Sequence, residues 1–292
     1  MSNSVKKRFG DRKEARRVRS LPPMSVVSPY IMRTRAGSQN YLIDSIMTDS
    51  IEKYLSEKRA NGYKGISIMH VIVAAYIRAV SQMPALNRFI AGQRVYNRDE
   101  IVVSLVIKRE MSIDSPDTAI KVRFMPEDTI NDVYNRFSEA IEQYRNNPGG
   151  SFDATASFLT ALPGLALKFA IGTLRFLDYF GVMPSFIERL SPFHSSLFIT
   201  SMGSLGVPAI YHHLYDFGNV PIFISFGAKK RVNELGDDGS VVKHNYVDIT
   251  YVMDERICDG YYFASAYKLI RKIFKNPQIL ENAPERVFAD IE

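Results

Sequence analysis

The sequence lacks several patterns whose absence narrows its class. It has no tryptophan and a single cysteine, Cys258, among 292 residues. An internal disulfide is therefore excluded, and a reducing, cytoplasmic location is expected. The five histidines are scattered, so no spacing predicts a metal site. No apolar run reaches the roughly 20 residues that a membrane span needs, because Lys168, Arg175 and Asp178 interrupt the longest apolar stretch.

Excess positive charge is confined to the N-terminus. Residues 1–20 hold eight Lys or Arg and two acidic residues, which accounts for the whole net charge of +6. The rest of the chain is neutral, so a basic face for binding nucleic acid is not expected. We interpret residues 1–24 as a basic extension, either a solvated tail or a helical arm. Contact of residues 1–20 with an anionic membrane surface or an acidic partner is the alternative, and would make the protein peripheral to a membrane.

Residues 25–292 carry the hydrophobic patterns of one large folded domain. The chain is 46% hydrophobic, which suffices for a sizeable core. Strand-like and helix-like segments alternate, which predicts an α/β fold. The predicted strands are 41–47, 94–96, 101–107, 118–124, 220–228 and 246–253, and the predicted helices are 51–61, 70–83 and 130–145. An apolar insert at about 152–192 predicts buried helices or a lid, with a membrane-touching surface as the alternative.

The most informative segment is a charged turn between a strand and a helix near the C-terminus. Residues 247–252 have the β-branched and aromatic content of a half-buried strand. Phe263, Ala266 and Ile270 then recur at three- and four-residue steps, which predicts an amphipathic helix. The turn between them reads Asp254-Glu255-Arg256-Ile257-Cys258-Asp259-Gly260. A turn on such a rigid support holds its side chains over the cleft that it borders.

This turn resembles the Asp-His-Arg-x-x-Asp-Gly signature of the chloramphenicol acetyltransferase and dihydrolipoamide acyltransferase superfamily, with Glu255 in place of the family's catalytic histidine. The stretch 195–206 is similar to a second fingerprint of that family, in which a strand ends in a hydroxyl residue before a glycine-containing turn. The resemblance covers about residues 25–281. The resemblance is strongest in the last third of the chain and absent from the basic extension and the apolar insert.

The resemblance implies a chloramphenicol acetyltransferase-like two-layer sandwich with a mixed sheet flanked by helices. It also implies transfer of an acyl group between coenzyme A and a thiol, hydroxyl or amine. CoA or acyl-CoA would be the substrate, with no metal, and the acyl partner would be a small molecule or a carrier protein. The family assembles as trimers with the site between subunits, so a homotrimer is expected. Because no lipoyl domain precedes the core, we expect a stand-alone protein. The apolar insert could cover an acyl-sized cleft.

The resemblance also assigns roles to individual residues. Thr200, or next Ser201, would donate a hydrogen bond to the tetrahedral oxyanion. Asp259 and Gly260 would preserve the geometry of the turn, with Asp259 paired to Arg33 or Arg35.

Replacement of the histidine leaves three hypotheses open. Proton transfer from a thiol with a pKa near 8.5 to an ordinary glutamate is unfavourable by about 4 pKa units, and transfer to a histidine by about 2. Burial can raise the pKa of a glutamate to about 6–7 and so reduce this difference. In the first hypothesis Glu255 is nevertheless the general base. In the second, His212 or His213 supplies the imidazole, although adjacent loop histidines also suit a structural role. In the third, the protein is a pseudoenzyme that binds an acyl ligand or serves as a scaffold or membrane-associated assembly protein.

Overall fold

The computed structural model describes residues 7–108, 117–146 and 160–291, and its centre is a six-stranded mixed sheet. The strand order is β2-β9-β8-β7-β5-β6, in which β7 runs parallel to both of its neighbours and the other pairs are antiparallel. The strands of this sheet are β2 (Gln39–Met47), β5 (Ile101–Lys108), β6 (Asp117–Phe124), β7 (Leu197–Ser201), β8 (Ile222–Leu235) and β9 (Val241–Asp254).

A second, antiparallel sheet has the order β1-β4-β3. Its strands are β1 (Ala15–Arg17), β3 (Arg88–Ala91) and β4 (Arg94–Arg98). The helices are α1 (Pro23–Ile31), α2 (Asp49–Ala60), α3 (Ile68–Gln82), α4 (Ile130–Asn146), α5 (Gly164–Tyr179), α6 (Ser185–Leu190) and α7 (Gly260–Lys275). The architecture is the α/β sandwich that the sequence predicted.

The two faces of the six-stranded sheet differ because neighbouring strand residues point to opposite sides. Ile222, Ile224 and Tyr251 pack into the main core with α2, α3, α4 and α7, and we call this the helix side. Phe223 and Val252 form a smaller cluster on the opposite face, which we call the loop side because the loop 207–219 covers it. α3 is buried along nearly its whole length, as its apolar sequence predicted.

The two segments outside the resemblance differ from their predictions. The basic extension was expected to be a solvated tail or helical arm, but β1 lies within it and pairs with β4, placing Ala15 in a small core with Phe89 and Tyr96. The apolar insert was expected to form buried helices or a lid, with a membrane-touching surface as the alternative. No residue of α5 is buried, so the first of these expectations is wrong for this helix. Apolar content alone did not reveal which side of this helix lacks a partner. Residues 147–159, which include the start of the insert, lie outside the described ranges.

Candidate active site

A buried cluster of charges fixes the turn that follows β9. Asp254 is completely buried and accepts hydrogen bonds from the Arg256 guanidinium, 2.8 Å from Nε and 2.7 Å from Nη2. Arg35 Nε lies 3.6 Å from the same carboxylate. The remaining Arg256 nitrogen, Nη1, donates to the carbonyl of Met32, 2.7 Å away, at the end of α1. The turn is therefore bound to the N-terminal half of the chain by charge-assisted hydrogen bonds.

Glu255, which occupies the histidine position of the motif, points away from this buried cluster. Its backbone N–H donates to the carbonyl of Ser38 at 2.8 Å. Its carboxylate Oε2 accepts a hydrogen bond of 3.0 Å from Nδ2 of Asn40 on the edge strand β2. Glu255 is exposed in the single chain, so its carboxylate is held in position and accessible to a substrate.

Asp259 and Gly260 begin α7. The Asp259 carboxylate accepts a hydrogen bond from the backbone N–H of Tyr262 at 2.8 Å, which is an N-cap. The expected pairing of Asp259 with Arg33 or Arg35 is wrong, because Arg35 is buried beside Asp254 and Arg33 lies on the surface. The reason is that the Asp259 carboxylate turns toward the orphan N–H groups of its own helix.

A cavity of about 290 Å³ lies beneath the turn, on the helix side of the sheet. Its exposed lining residues Asn40, Tyr41, Gly260 and Ala264 mark the mouth, and Asn40 is also the partner of Glu255. A Cβ added at Gly260 would meet no heavy atom within 4 Å, so the glycine keeps this mouth open rather than relieving a clash. The apolar residues that line the interior include Leu42, Leu86, Ile222, Ile224, Phe263 and Ile270.

One polar atom in the wall of this cavity has no partner. The hydroxyl of Tyr251 is buried and makes no hydrogen bond to the protein, while the Tyr251 ring lines the cavity. Burial raises the pKa of Tyr251 well above its usual value, so the hydroxyl is a neutral donor. An unpaired buried hydroxyl costs stability unless a ligand or water accepts its hydrogen bond. The cavity is thus lined mainly by apolar side chains, and Tyr251 contributes a hydroxyl that has no protein partner.

The hydroxyl candidates lie apart from Glu255. Thr200 is in register with Ser225, which is in register with Thr250, so the three hydroxyl residues lie side by side on the loop side. Asp254 follows Thr250 by four residues, or about 13 Å along β9. Ser201 points to the helix side and lines another cavity, of about 560 Å³, beside α2. One chain therefore does not bring Thr200 or Ser201 together with Glu255.

The adjacent histidines lie in the loop that covers the other face of the sheet. The His212 ring stacks on Phe223 with a centroid distance of 4.0 Å, and its Nδ1 lies 2.8 Å from the carbonyl oxygen of His213. Burial lowers the pKa of His212. Because Phe223 is on the loop side and the cavity is on the helix side, His212 does not reach the cavity beneath Glu255.

Sequence reasoning missed three residues of this site: Asp254 as an ion-pair centre, Asn40 and Tyr251. The Asp254-x-Arg256 spacing carried a usable signal, because residues two apart on an extended strand point to the same side. The contact between Asn40 and Glu255 joins positions 215 residues apart and had no local signal. Among the described residues, no group of three or more His, Cys, Asp and Glu side chains is placed to hold a metal ion.

Comparison with known proteins gives similarity in structure without similarity in sequence. No family profile matches the sequence, and no curated protein matches it. A probable dihydrolipoamide acetyltransferase from Listeria monocytogenes superposes with a TM-score of 0.55 at 14% identity, covering 88% of this chain and 94% of that one. The cubic core of the pyruvate dehydrogenase multienzyme complex superposes with a TM-score of 0.55 at 10% identity, covering 91% and 94%.

A truncated catalytic core of the 2-oxoacid dehydrogenase complex from Thermoplasma acidophilum gives a TM-score of 0.52 at 10% identity, covering 89% of this chain and 98% of that one. The likeness spans nearly the full length of each relative, so it includes both the sheet and the helices around it. This agreement confirms the fold that the motif resemblance predicted. The chain therefore has the chloramphenicol acetyltransferase-like fold found in the catalytic cores of dihydrolipoamide acyltransferases.

Proposed function

We propose that this protein is an acyltransferase that takes an acyl group from coenzyme A, or from a carrier thioester, and transfers it to an acceptor bound beside Glu255. The observation that carries the proposal is the cavity of about 290 Å³ beneath the motif turn, whose mouth residue Asn40 also holds the Glu255 carboxylate. An apolar cavity next to a positioned carboxylate suits an acyl chain with its reacting carbonyl at the mouth.

In this mechanism Glu255 accepts the proton of the acceptor's S–H, O–H or N–H group as that atom attacks the thioester carbonyl. The hydroxyl of Thr200 donates a hydrogen bond to the oxyanion of the tetrahedral intermediate. Collapse of the intermediate breaks the carbon–sulfur bond and releases the CoA thiolate, which takes the proton back from Glu255. The Asn40 amide keeps the carboxylate directed at the mouth during both proton transfers.

The separation of Thr200 from Glu255 in one chain favours a site shared by two subunits, and a homotrimer is the assembly we propose. Two surfaces suit contacts between subunits. The edge strand β2 exposes Tyr41 and Ile43, each about half accessible. The helix α1 exposes Met24 and Ile31 and contains no charged residue, which suits an apolar protein interface.

The first experiment measures the thermal midpoint with CoA, acetyl-CoA and longer acyl-CoAs. A ligand at about 100 times its Kd stabilises the native state by roughly 2.7 kcal/mol, which a thermal scan detects. We expect a shift that grows with acyl length until the cavity is filled. No shift with any of these ligands would favour the alternative, a non-catalytic scaffold.

The second experiment compares Glu255→Gln with Glu57→Gln, the same chemical change on the exposed surface of α2. If Glu255 is the general base, its variant loses transfer activity by about 10²-fold or more while the acyl-CoA shift remains. The Glu57 variant should match the wild type. Equal activity of both variants would exclude Glu255 as the base.

Mixing inactive subunits tests the shared site directly. Glu255→Gln and Thr200→Val trimers, unfolded together and refolded, would contain some interfaces with one intact Glu255 and one intact Thr200. Activity should then return to a measurable fraction of the wild-type value. If no activity returns although mixed trimers form, the two residues do not act in one site between subunits.

A further inference from the structure

The helix α5 presents a continuous apolar face to solvent in the single chain. Leu165 is 85% exposed and Phe169 is 77% exposed, although both are large apolar side chains. Beyond the end of the helix the Phe180 ring contacts that of Phe176, with a centroid distance of 4.9 Å, and further exposed apolar side chains follow as far as α6; we call this set of residues the α5 face. Its remaining members, all at least 59% exposed, are Phe176, Phe180, Val182 and Phe186. A contiguous apolar surface of this kind marks a site that contacts another molecule or a membrane.

Two cations lie along one margin of the α5 face. Leu165, Phe169 and Phe176 follow one another at steps of four and seven residues and therefore share one side of the helix. Lys168 and Arg175, which are seven residues apart and both exposed, lie at the edge of that side. Long basic side chains at the boundary of an apolar face lay their methylenes on lipid and keep their charges among the headgroups.

The acidic residues of this region are few and partly buried. Within 160–190 there are two, Asp178 and Glu188, and both are only partly accessible. Asp178 is paired with Arg12 of the basic extension. Burial opposes ionisation of Asp178, but His194 and Arg12 together lower its pKa to about 2. The carboxylate is therefore charged and already paired, and adds no free negative charge to the surface.

The Arg12–Asp178 ion pair also brings the basic extension to the α5 face. Lys13, the next residue, is exposed and its Nζ lies 3.3 Å from Ser185 Oγ at the start of α6. Arg189 on α6 is exposed as well. Four exposed cations, Lys13, Lys168, Arg175 and Arg189, thus accompany the aromatic side chains. The combination of aromatic and cationic side chains complements an anionic lipid headgroup layer.

A comparison with helix α1 indicates that the partner of the α5 face is a lipid surface rather than a protein. Helix α1 also exposes apolar side chains, among them Met24 at 71% and Ile31 at 66%, but its sequence has no charge. We infer that the α5 face docks on an anionic membrane surface, with its aromatic side chains inserted at the headgroup boundary and its cations on the lipid phosphates. Across the described ranges, no helix has the length and hydropathy to cross a bilayer.

The test is flotation of the full chain with vesicles of phosphatidylcholine alone and of phosphatidylcholine mixed with phosphatidylserine. We expect binding to the mixed vesicles, little binding to the neutral ones, and weaker binding as salt is raised. Failure of the wild type to float with the anionic vesicles would overturn the proposal.

Two variants remove the two parts of the surface separately. Phe169→Ser with Phe176→Ser should lower vesicle partitioning roughly tenfold or more, because two exposed aromatic anchors are lost. Lys168→Gln with Arg175→Gln should lower it about tenfold on anionic vesicles and hardly at all on neutral ones. Neither change should lower the thermal midpoint, because all four side chains are exposed.

The matched control is Leu235→Ser with Val241→Ser, which removes two exposed apolar side chains from the paired ends of β8 and β9. Vesicle binding of this control should equal that of the wild type, and an equal loss in both apolar variants would contradict a specific α5 face. Light scattering without vesicles tests the alternative, in which a second copy of the chain covers the α5 face. If the Phe169 and Phe176 changes reduce the oligomer mass, a second copy of the chain covers this face and the lipid proposal is wrong.

Discussion

Asp254 and Arg256 form a buried bidentate ion pair inside the motif turn, with contacts of 2.8 Å and 2.7 Å. Arg35 approaches the same carboxylate to 3.6 Å, so one acid serves two buried guanidinium groups. Replacement Asp254→Asn would remove the ion-pair partner of Arg256 and the carboxylate nearest to Arg35. We expect the free energy of unfolding, measured in urea, to fall by about 3–5 kcal/mol, the usual cost of breaking a buried pair on one side.

The second aspartate of the motif is the control. Asp259 caps α7 from an exposed position, so Asp259→Ala should cost about 1 kcal/mol. The two variants therefore rank the acids of the turn by structural importance. A larger loss for Asp259→Ala than for Asp254→Asn would contradict the assignment of Asp254 as the centre of the turn.

His70 gives the fold a dependence on acid pH. Burial lowers the pKa of His70 to about 4, and its Nδ1 accepts a hydrogen bond from the Ser67 backbone at 3.1 Å. Between pH values of about 6.5 and 4 the unfolded chain binds a proton that the folded chain does not. The contribution of His70 is therefore fully present above about pH 6.5 and is lost as the pH falls toward 4, by up to about 3 kcal/mol.

The variant His70→Gln separates titration from capping. Glutamine at this position can still accept the Ser67 N–H in a capping box, but it does not titrate. We expect denaturant unfolding of this variant to show a shallower loss of stability between about pH 6.5 and 4 than the wild type. Parallel profiles for the two proteins would show that His70 does not carry this dependence.

Local patterns sufficed for most of the fold. The steps of apolar residues in α3 and α7 and the β-branched runs of β5 and β9 predicted elements that the structure contains. The motif then selected one arrangement of these elements among those that an α/β pattern allows. The hydrogen bond between Ser67 and His70 spans only three residues, so the start of α3 could also be predicted from the local sequence.

The errors have one physical origin, which is contacts made over long sequence distances. The pairing of Arg35 with Asp254 rather than Asp259 depends on how the N-terminal half docks on the turn. The exposure of Phe169 depends on the absence of a packing partner within the described parts of the chain, which composition does not encode. β1 formed within a strongly basic segment because β4 offered it an edge.

Tyr251 tests the character of the cavity. Its hydroxyl is buried without a hydrogen-bond partner, so removing the oxygen by Tyr251→Phe removes an unpaired polar atom. We expect the free protein to gain stability, by about 1 kcal/mol, in thermal or urea unfolding. Tyr262→Phe is the comparison, because the Tyr262 hydroxyl accepts a hydrogen bond from Ala85 at 3.1 Å and its loss should destabilise. A destabilised Tyr251→Phe protein would mean that the hydroxyl has a partner in solution.

Gly260 tests whether the cavity takes the acyl chain. Because a Cβ added here meets no heavy atom within 4 Å, Gly260→Val should fold with a thermal midpoint near that of the wild type. The new side chain would narrow the mouth, which Gly260 lines together with Asn40 and Tyr41. We expect the stabilisation by long acyl-CoAs to shrink while the stabilisation by CoA itself is kept. Tyr261→Val, the same new side chain one residue further on and outside the cavity lining, should behave as the wild type. If Gly260→Val responds to every acyl length as the wild type does, the acyl chain binds elsewhere and the cavity beneath Glu255 is not its site.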